Sequence, residues 1–522
     1  MRKPSKMAKT AKPKVGQPNA AKVTINKLST GVRGLDEILG GGIPEFSFNL
    51  IGGSPGCGKT TLVHQLAFAN ATAKRPVLYF TVLGEPVIKM LRYQQQFSFY
   101  DESKVGDALR FVNLSEAALL NDLSVVLQEI ITHVTAVNAG VVVIDSFRSL
   151  ARRTTGEAGE MEVQAFVHRL SQFLVNSEVT TFLVGEYVHD EIRANPLFTM
   201  VDSILWLSQV TERNSVVRKL QVLKLRGQAS VPGLHTLRIA DDGLQAFSRT
   251  LGQEAARPRP ERRRRLSLGI PELDKMLGGG VLEGDSVLVA GPSGTGKSAM
   301  ATQFIGEGLR RGEAAIMAIF EERPDGYTHR ADTFGLKLKA AQKAGKLEIL
   351  YLRPLDLSVD ETMLAILDAI KRVDAKRVVI DSLVGFEMAL APSFRADFRE
   401  SLYRMIGALT GAGITILSTV EVEDDFTSLQ FSHYAVSFLT DVIVRLRYVE
   451  IDGQLRKTLV VIKMRGGNHS KDIREYIIND KGVVVIHPRD TNYSQLSTGL
   501  PERTGPRRQQ EDESPPEPKA RA

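Results

Sequence analysis

A sixteen-residue stretch, LSTGVRGLDEILGGGI (28–43), returns 238 positions later as LSLGIPELDKMLGGGV (266–281), without a gap. Three further pairs keep the same order at nearly the same offset: GGSPGCGKTT (52–61) with AGPSGTGKSA (290–299), VVVIDS (141–146) with RVVIDS (377–382), and VLKLRG (222–227) with VIKMRG (461–466). Chance does not hold four segments in one order. The chain is a tandem duplication of units about 220 residues long, a period too long for a solenoid repeat, and it must fold twice into the same architecture.

The length of 522 residues then divides into two large domains, 28–248 and 266–490. Between them RTLGQEAARPRPERRRR (249–265) is polar, Pro-containing and basic, which reads as a linker. The tails, 1–27 and 491–522, read as disordered. Eight Lys or Arg and no acid lie within residues 1–27, so a net charge of +7 leaves −1 for the remainder. The basic tail is either a solvated extension or a contact for nucleic acid or an acidic partner. No run of eighteen apolar residues is present to span a membrane. The N-terminus is basic without the apolar core of a secretory signal. A single cysteine fits a reducing, cytoplasmic setting.

Within each half, apolar β-branched runs alternate with longer amphipathic segments. FSFNLIG and DSVLVAG are strands leading into glycine loops, and TTLVHQLAFANA is the helix that follows the first loop. GVVVIDS and TTFLVGE read as buried strands, matched later by KRVVIDS and GITILSTVE. This alternation predicts an α/β fold, a mainly parallel sheet wrapped by helices, in each half. Residues 441–465 read as a hairpin turning at Asp452-Gly453.

Gly53-Ser54-Pro55-Gly56-Cys57-Gly58-Lys59-Thr60 and Gly291-Pro292-Ser293-Gly294-Thr295-Gly296-Lys297-Ser298 both satisfy the P-loop pattern. Each follows a predicted strand and opens a predicted helix, the context that makes a pattern match a phosphate site. Backbone N–H groups curve around phosphate, Lys59 and Lys297 reach the β- and γ-phosphates, and Thr60 and Ser298 ligate Mg²⁺. Thr61 continues the first loop into its helix. ATP with Mg²⁺ is the expected cofactor pair. Asp145 and Asp381, ending apolar strands downstream, occupy the Walker B position that holds the metal through its water shell. Glu321 and Glu322 end the short strand AAIMAIF, beside the second P-loop, where paired carboxylates can activate an attacking hydroxyl or water. Lys224, Arg226, Lys463 and Arg465 sit at strand ends before glycines. They are either solvated ends or cations that cross a subunit interface to a neighbour's phosphates. Cys57 is either an oxidation-sensitive loop thiol or a filler at a tolerant position.

Residues 28–490 resemble the KaiC family, circadian-clock ATPases and autokinases built from two RecA-like domains. The resemblance is densest in the second half, in FEERP, VIDSL, RYVEIDGQ, KMRGGNHSKDIREY and NDKG. It implies two tandem RecA-like P-loop domains, a homohexamer with ATP between subunits, and Lys463 and Arg465 acting on the neighbour's γ-phosphate. It also implies Glu321 as the base for an acceptor hydroxyl, with Glu322 assisting. The family's acceptor is a Ser-Thr pair shortly before a Thr-Asp; here AVSFLTD (435–441) keeps Ser437 and replaces the threonine by Phe438. Where the family's first domain carries its own glutamate pair, this chain has Leu83 and Gly84, with Glu85 one place on. Phe198, in PLFTMVD (196–202), stands opposite Ser437. The expectation is that the first half binds ATP chiefly to assemble the ring, while the second half carries ATPase and serine/threonine autokinase chemistry. No counterpart of the family's activator-recruiting C-terminal segment is legible in 501–522, so the expected signalling partner is a different, unidentified protein. The competing readings are a RecA-like DNA-dependent ATPase and a nucleotide-gated scaffold. Against DNA, the body is nearly neutral and lacks a basic loop interleaved with aromatics.

Overall fold

A computed structural model describes residues 24–82, 86–114, 122–151, 157–212, 215–249, 263–352, 357–390, 392–395, 398–422, 440–451 and 453–486, with two short paired stretches at 493–494 and 502–503. Most of the linker, Leu83 to Glu85 and Ser437 with Phe438 lie outside the described residues.

Each half holds a nine-stranded sheet of the same topology. The first runs, edge to edge, through Leu109–Asn113, Val77–Thr81, Val141–Asp145, Thr180–Glu186, Phe48–Gly53, Ser203–Glu212, Ser215–Leu225, Leu234–Ala240 and Gly243–Phe247. The first six are parallel, and the last three add on antiparallel. The second runs through Leu347–Tyr351, Ala314–Ile319, Ala375–Asp381, Thr415–Glu421, Ser286–Gly291, Val442–Ile451, Gln454–Met464, Arg474–Asn479 and Gly482–Val485. Its hairpin pairs Ile451 with Gln454, leaving a two-residue loop, and Gly453 takes φ 71° as such loops require.

Strict alternation explains why these runs are strands buried on both faces. Val141 and Val143 join one apolar cluster, while Val142 and Ile144 join the cluster on the other face. Val287 and Val289 split in the same way from Leu288 and Ala290. Each residue side is covered by helices, the arrangement a parallel sheet needs.

The repeated LS-TG-LD words have a local cause. Asp36 accepts from Ser29 Oγ at 2.6 Å and from the Thr30 N–H at 2.8 Å, tying the short ribbon Lys27–Leu28 to the helix Leu35–Ile38. Asp274 does the same with Ser267 Oγ, 2.5 Å, and the Leu268 N–H, 2.8 Å.

Candidate nucleotide-binding and catalytic sites

Both P-loops leave the C-terminal end of the central strand and open a helix, Lys59–Asn70 in the first half and Lys297–Arg310 in the second. That is where open α/β sheets bind ligands. The helices begin after Gly58, φ 103°, and Gly296, φ 99°, conformations that strain any residue with a side chain. Lys59 folds back to donate to the Ser54 carbonyl at 2.7 Å. Lys297 donates to the carbonyls of Gly291 and Pro292, both at 2.9 Å. Over the first loop opens a cavity of about 460 Å³ lined by Lys59, Thr60, Thr61, Asp145, Glu186 and Ile239, among others. Cys57 is fully buried beneath it, and burial pushes its thiol up against the opposing pull of Lys59. A buried, protonated thiol is a filler and not a reactive group.

The first-half pair expected to hold a metal lies side by side. Thr60 Oγ1 donates to Asp145 Oδ2 at 3.1 Å. Burial raises the Asp145 carboxyl, opposed by the hydroxyls of Tyr79 and Thr60. In the second half Ser298 is the second residue of the helix Lys297–Arg310, and Asp381 ends the strand Ala375–Asp381. Capping after that strand falls to Ser382, whose Oγ accepts from the Gly385 N–H at 3.0 Å. Asp381 is therefore not the cap of the next helix. A hydroxyl and a carboxylate are hard oxygen donors, and Mg²⁺ takes one or two of these with phosphate and water completing its shell. Among the described residues no cluster of three or more His, Cys, Asp or Glu could hold a metal alone. The Thr60 hydroxyl and the Asp145 carboxylate have the oxygen chemistry that would suit Mg²⁺.

The glutamate pair does not end its strand as expected. The strand stops at Ile319, and Glu321 and Glu322 lie in the bend before the helix Pro324–Thr333. The two side chains have different partners. Glu321 Oε1 accepts from Ser382 Oγ at 2.6 Å, while Glu322 pairs with Arg330. Lys297 is pulled down by burial and pushed back up by three nearby carboxylates, Glu421, Asp381 and Glu321. Glu321 thus faces the P-loop lysine, and Glu322 faces a helix.

Lys224 and Lys463 are placed alike. Lys224 donates to the Thr199 carbonyl at 2.9 Å and Lys463 to the Thr440 carbonyl at 2.7 Å. Arg226 pairs with Asp202 at 3.2 Å and Arg465 with Asp441 at 3.7 Å. Burial lowers both lysines, and the adjacent arginine lowers them further. Register fixes their distance from their own P-loops. Lys224 stands opposite Ile204, which is level with Leu50; Lys463 stands opposite Ile443, level with Leu288. Each P-loop starts three residues further on, about 10 Å at 3.3 Å per residue, beyond the C-terminal strand ends. These cations occupy the opposite end of the sheet from the phosphate site of their own chain.

Several site groups carried no legible signal in the sequence. Tyr79 donates to Asp145 Oδ2 at 2.8 Å, and Tyr327 to Asp381 Oδ2 at 2.7 Å. Burial pushes both phenols well above their usual range. Thr419 donates to the other oxygen of Asp381. Glu186 and Glu421 end the strands beside each P-loop strand, which TTFLVGE and TILSTVE showed without marking. His64, on the first P-loop helix, is fully buried between Tyr79 and Phe111, and burial holds its imidazole down to about 3. Phe198, opposite Ser437, is buried against Tyr187 and Trp206.

Two mainly parallel sheets, each with a P-loop at the central strand and a carboxylate beside it, define a tandem RecA-like P-loop ATPase. A family model described as "ATPase: KaiC" matches residues 28–250 and again 266–490. The chain belongs to the KaiC family. It is 29% identical over 493 residues, 93% of this chain and 94% of the relative, to the circadian clock oscillator protein KaiC of Picosynechococcus sp.. The corresponding protein of Rippkaea orientalis is 29% identical over 490 residues, 92% of each chain. KaiC 1 of Synechocystis sp. is 28% identical over 498 residues, 93% of this chain and 94% of that protein. Among the described residues no helix is long and apolar enough to cross a membrane.

Proposed function

We propose that the chain is a ring-forming ATPase and serine autokinase whose second-half site is completed by a neighbouring subunit, with the first half binding ATP chiefly to assemble the ring. The observation that carries this reading is the placement of Lys463 and Arg465, at the far end of the sheet from their own P-loop. Cations there lie away from the P-loop of their own domain, and a homohexamer would offer them a neighbour's γ-phosphate at every interface.

Within the site, Lys297 and the loop N–H groups hold the β- and γ-phosphates. Ser298 and Asp381 hold the metal, which when bound spreads the charge of the phosphate oxygens. Glu321, oriented by Ser382, takes the proton of an attacking water or serine hydroxyl. The attacking oxygen bonds to the γ-phosphorus as the bond to the leaving oxygen breaks, and ADP departs with that electron pair. Ser437, four positions before Asp441, is the acceptor in this reading, since Phe438 has no hydroxyl. Incubation with Mg²⁺-ATP, followed by phosphate mapping and oligomer sizing, tests it. Hexamers with one dominant phosphoserine at Ser437 support the proposal. No phosphate anywhere in 430–441 reduces it to an ATPase, and monomers at saturating ATP remove the shared site.

A further inference from the structure

The two halves put a buried phenol on the same carboxylate oxygen by different routes. In the first half Tyr79 lies on the strand Val77–Thr81, directly beside the strand that ends in Asp145. At the corresponding place in the second half stands Met317, buried and without a hydroxyl. There the phenol comes instead from Tyr327, on the helix Pro324–Thr333, where the first half has Lys89. Tyr327 is 1% exposed. Duplication alone does not produce this coincidence, because the two tyrosines are not at equivalent positions. What the halves share is the requirement itself, a donor on Oδ2 of the strand-end aspartate.

The second route has a consequence the first lacks. Asp145 receives its phenol from within the sheet, from the strand beside its own. Asp381 receives its phenol from a helix joined to the sheet by the bend that carries Glu321 and Glu322. Arg330, on that helix, pairs with Glu322 and lies 5.0 Å over the Tyr327 ring. Glu322, Arg330, Tyr327 and Asp381 therefore form one connected series, from the glutamate pair to the strand-end carboxylate.

We propose that Tyr327 is a positioning residue for Asp381, and that the helix Pro324–Thr333 ties metal retention in the second half to the placement of the glutamate pair. This rests on Asp381 being the metal-side carboxylate. A shift of that helix disturbs both groups together in the second half, whereas in the first half the phenol on Asp145 comes from a strand.

Tyr327→Phe tests it in the full-length protein, because the ring and its Arg330 contact stay while only the hydroxyl goes. The probe is methylanthraniloyl-ADP, titrated with Mg²⁺ and, separately, in EDTA. Energy transfer from Trp206, the single tryptophan, reports the first half; its ring packs against Gly52 of the P-loop strand. Direct excitation reports both halves. Partners of this kind typically change metal affinity about 10-fold or more. The expected result is a Mg²⁺ midpoint raised about 10-fold in the second half, with binding in EDTA unchanged. Arg330→Gln should shift the same midpoint in the same direction, and Tyr79→Phe should shift the first-half midpoint instead. A Tyr327→Phe protein with the wild-type Mg²⁺ midpoint overturns the proposal, as does equal loss with and without Mg²⁺, which is the mark of a packing role alone. If wild type binds the probe at the second half with no Mg²⁺ dependence, the metal reading of Asp381 fails first, and the inference with it.

Discussion

His64 makes the first half acid-sensitive by an amount that can be worked out. Its ring is fully buried, and both ring nitrogens lack a hydrogen-bond partner among the described residues. Burial holds the folded imidazole near 3, against 6.5 for a free histidine. Between those values the unfolded chain binds a proton that the folded chain refuses. Unfolding therefore takes up a proton, and stability falls as pH drops below about 6.5, by about 1.36 kcal/mol per pH unit. At pH 5 the accumulated loss is about 2 kcal/mol. For a domain of this size that is a melting shift of about 4–8 °C. His64→Phe keeps an aromatic body between Tyr79 and Phe111 and removes the proton site. Thermal unfolding of both proteins at about pH 7.5 and about pH 5, with nucleotide saturating, gives the double difference in which other titrating groups cancel. Wild type should lose about 2 kcal/mol more than the variant. Equal losses would show that His64 is hydrated or partnered in solution, and the reasoning fails.

Three further outcomes follow from the same geometry. Arg377 is fully buried, pairs with Glu313 at 2.7 Å and donates to the carbonyls of Ser267 and Phe304; Arg377→Leu should cost about 1–3 kcal/mol, read as a lower denaturant midpoint of the second half, because those carbonyls lose their donor while Glu313 keeps only its pair with the exposed Arg264. Glu321→Gln should lower ATP turnover by about 10²–10⁴-fold, more than Glu85→Gln does, and a larger effect of Glu85→Gln reverses the assigned division of labour. Lys59→Ala should impair ATP-dependent assembly more than Lys297→Ala, and assembly that ignores nucleotide in wild type and both variants contradicts a nucleotide-built ring.

What the sequence made legible was whatever depends on short spacing. P-loops, their strands and helices, the strand-end aspartates and the two-residue hairpin all rest on local pattern, and the structure has them where the pattern put them. The glutamate pair was legible, but its partners were not: Ser382 and Arg330 come from outside the bend, one to Glu321 and the other to Glu322. Tyr79 and Tyr327 were invisible because their role is set by which strand or helix lies over the aspartate, and the duplication does not align them. The orientation of Lys224 and Lys463 away from their own phosphate sites needed strand register, since the same residues on a parallel strand would point toward the P-loop end. His64 reads in sequence as one polar residue on a helix, and only packing shows that neither nitrogen meets a partner.

The central claim, a second-half site shared between two chains, is tested most directly by mixing two inactive proteins. One carries Glu321→Gln with its cations intact, and the other carries Lys463→Ala and Arg465→Ala with its glutamates intact. After dissociation and ATP-driven reassembly at equal amounts, about one interface in four joins an intact Glu321 to intact neighbouring cations. A shared site should restore about a quarter of wild-type ATP turnover from two proteins that are inactive apart. Mixed assemblies that stay as inactive as the separate proteins, with mixing verified by differential labels, would place the whole site within one chain and contradict it.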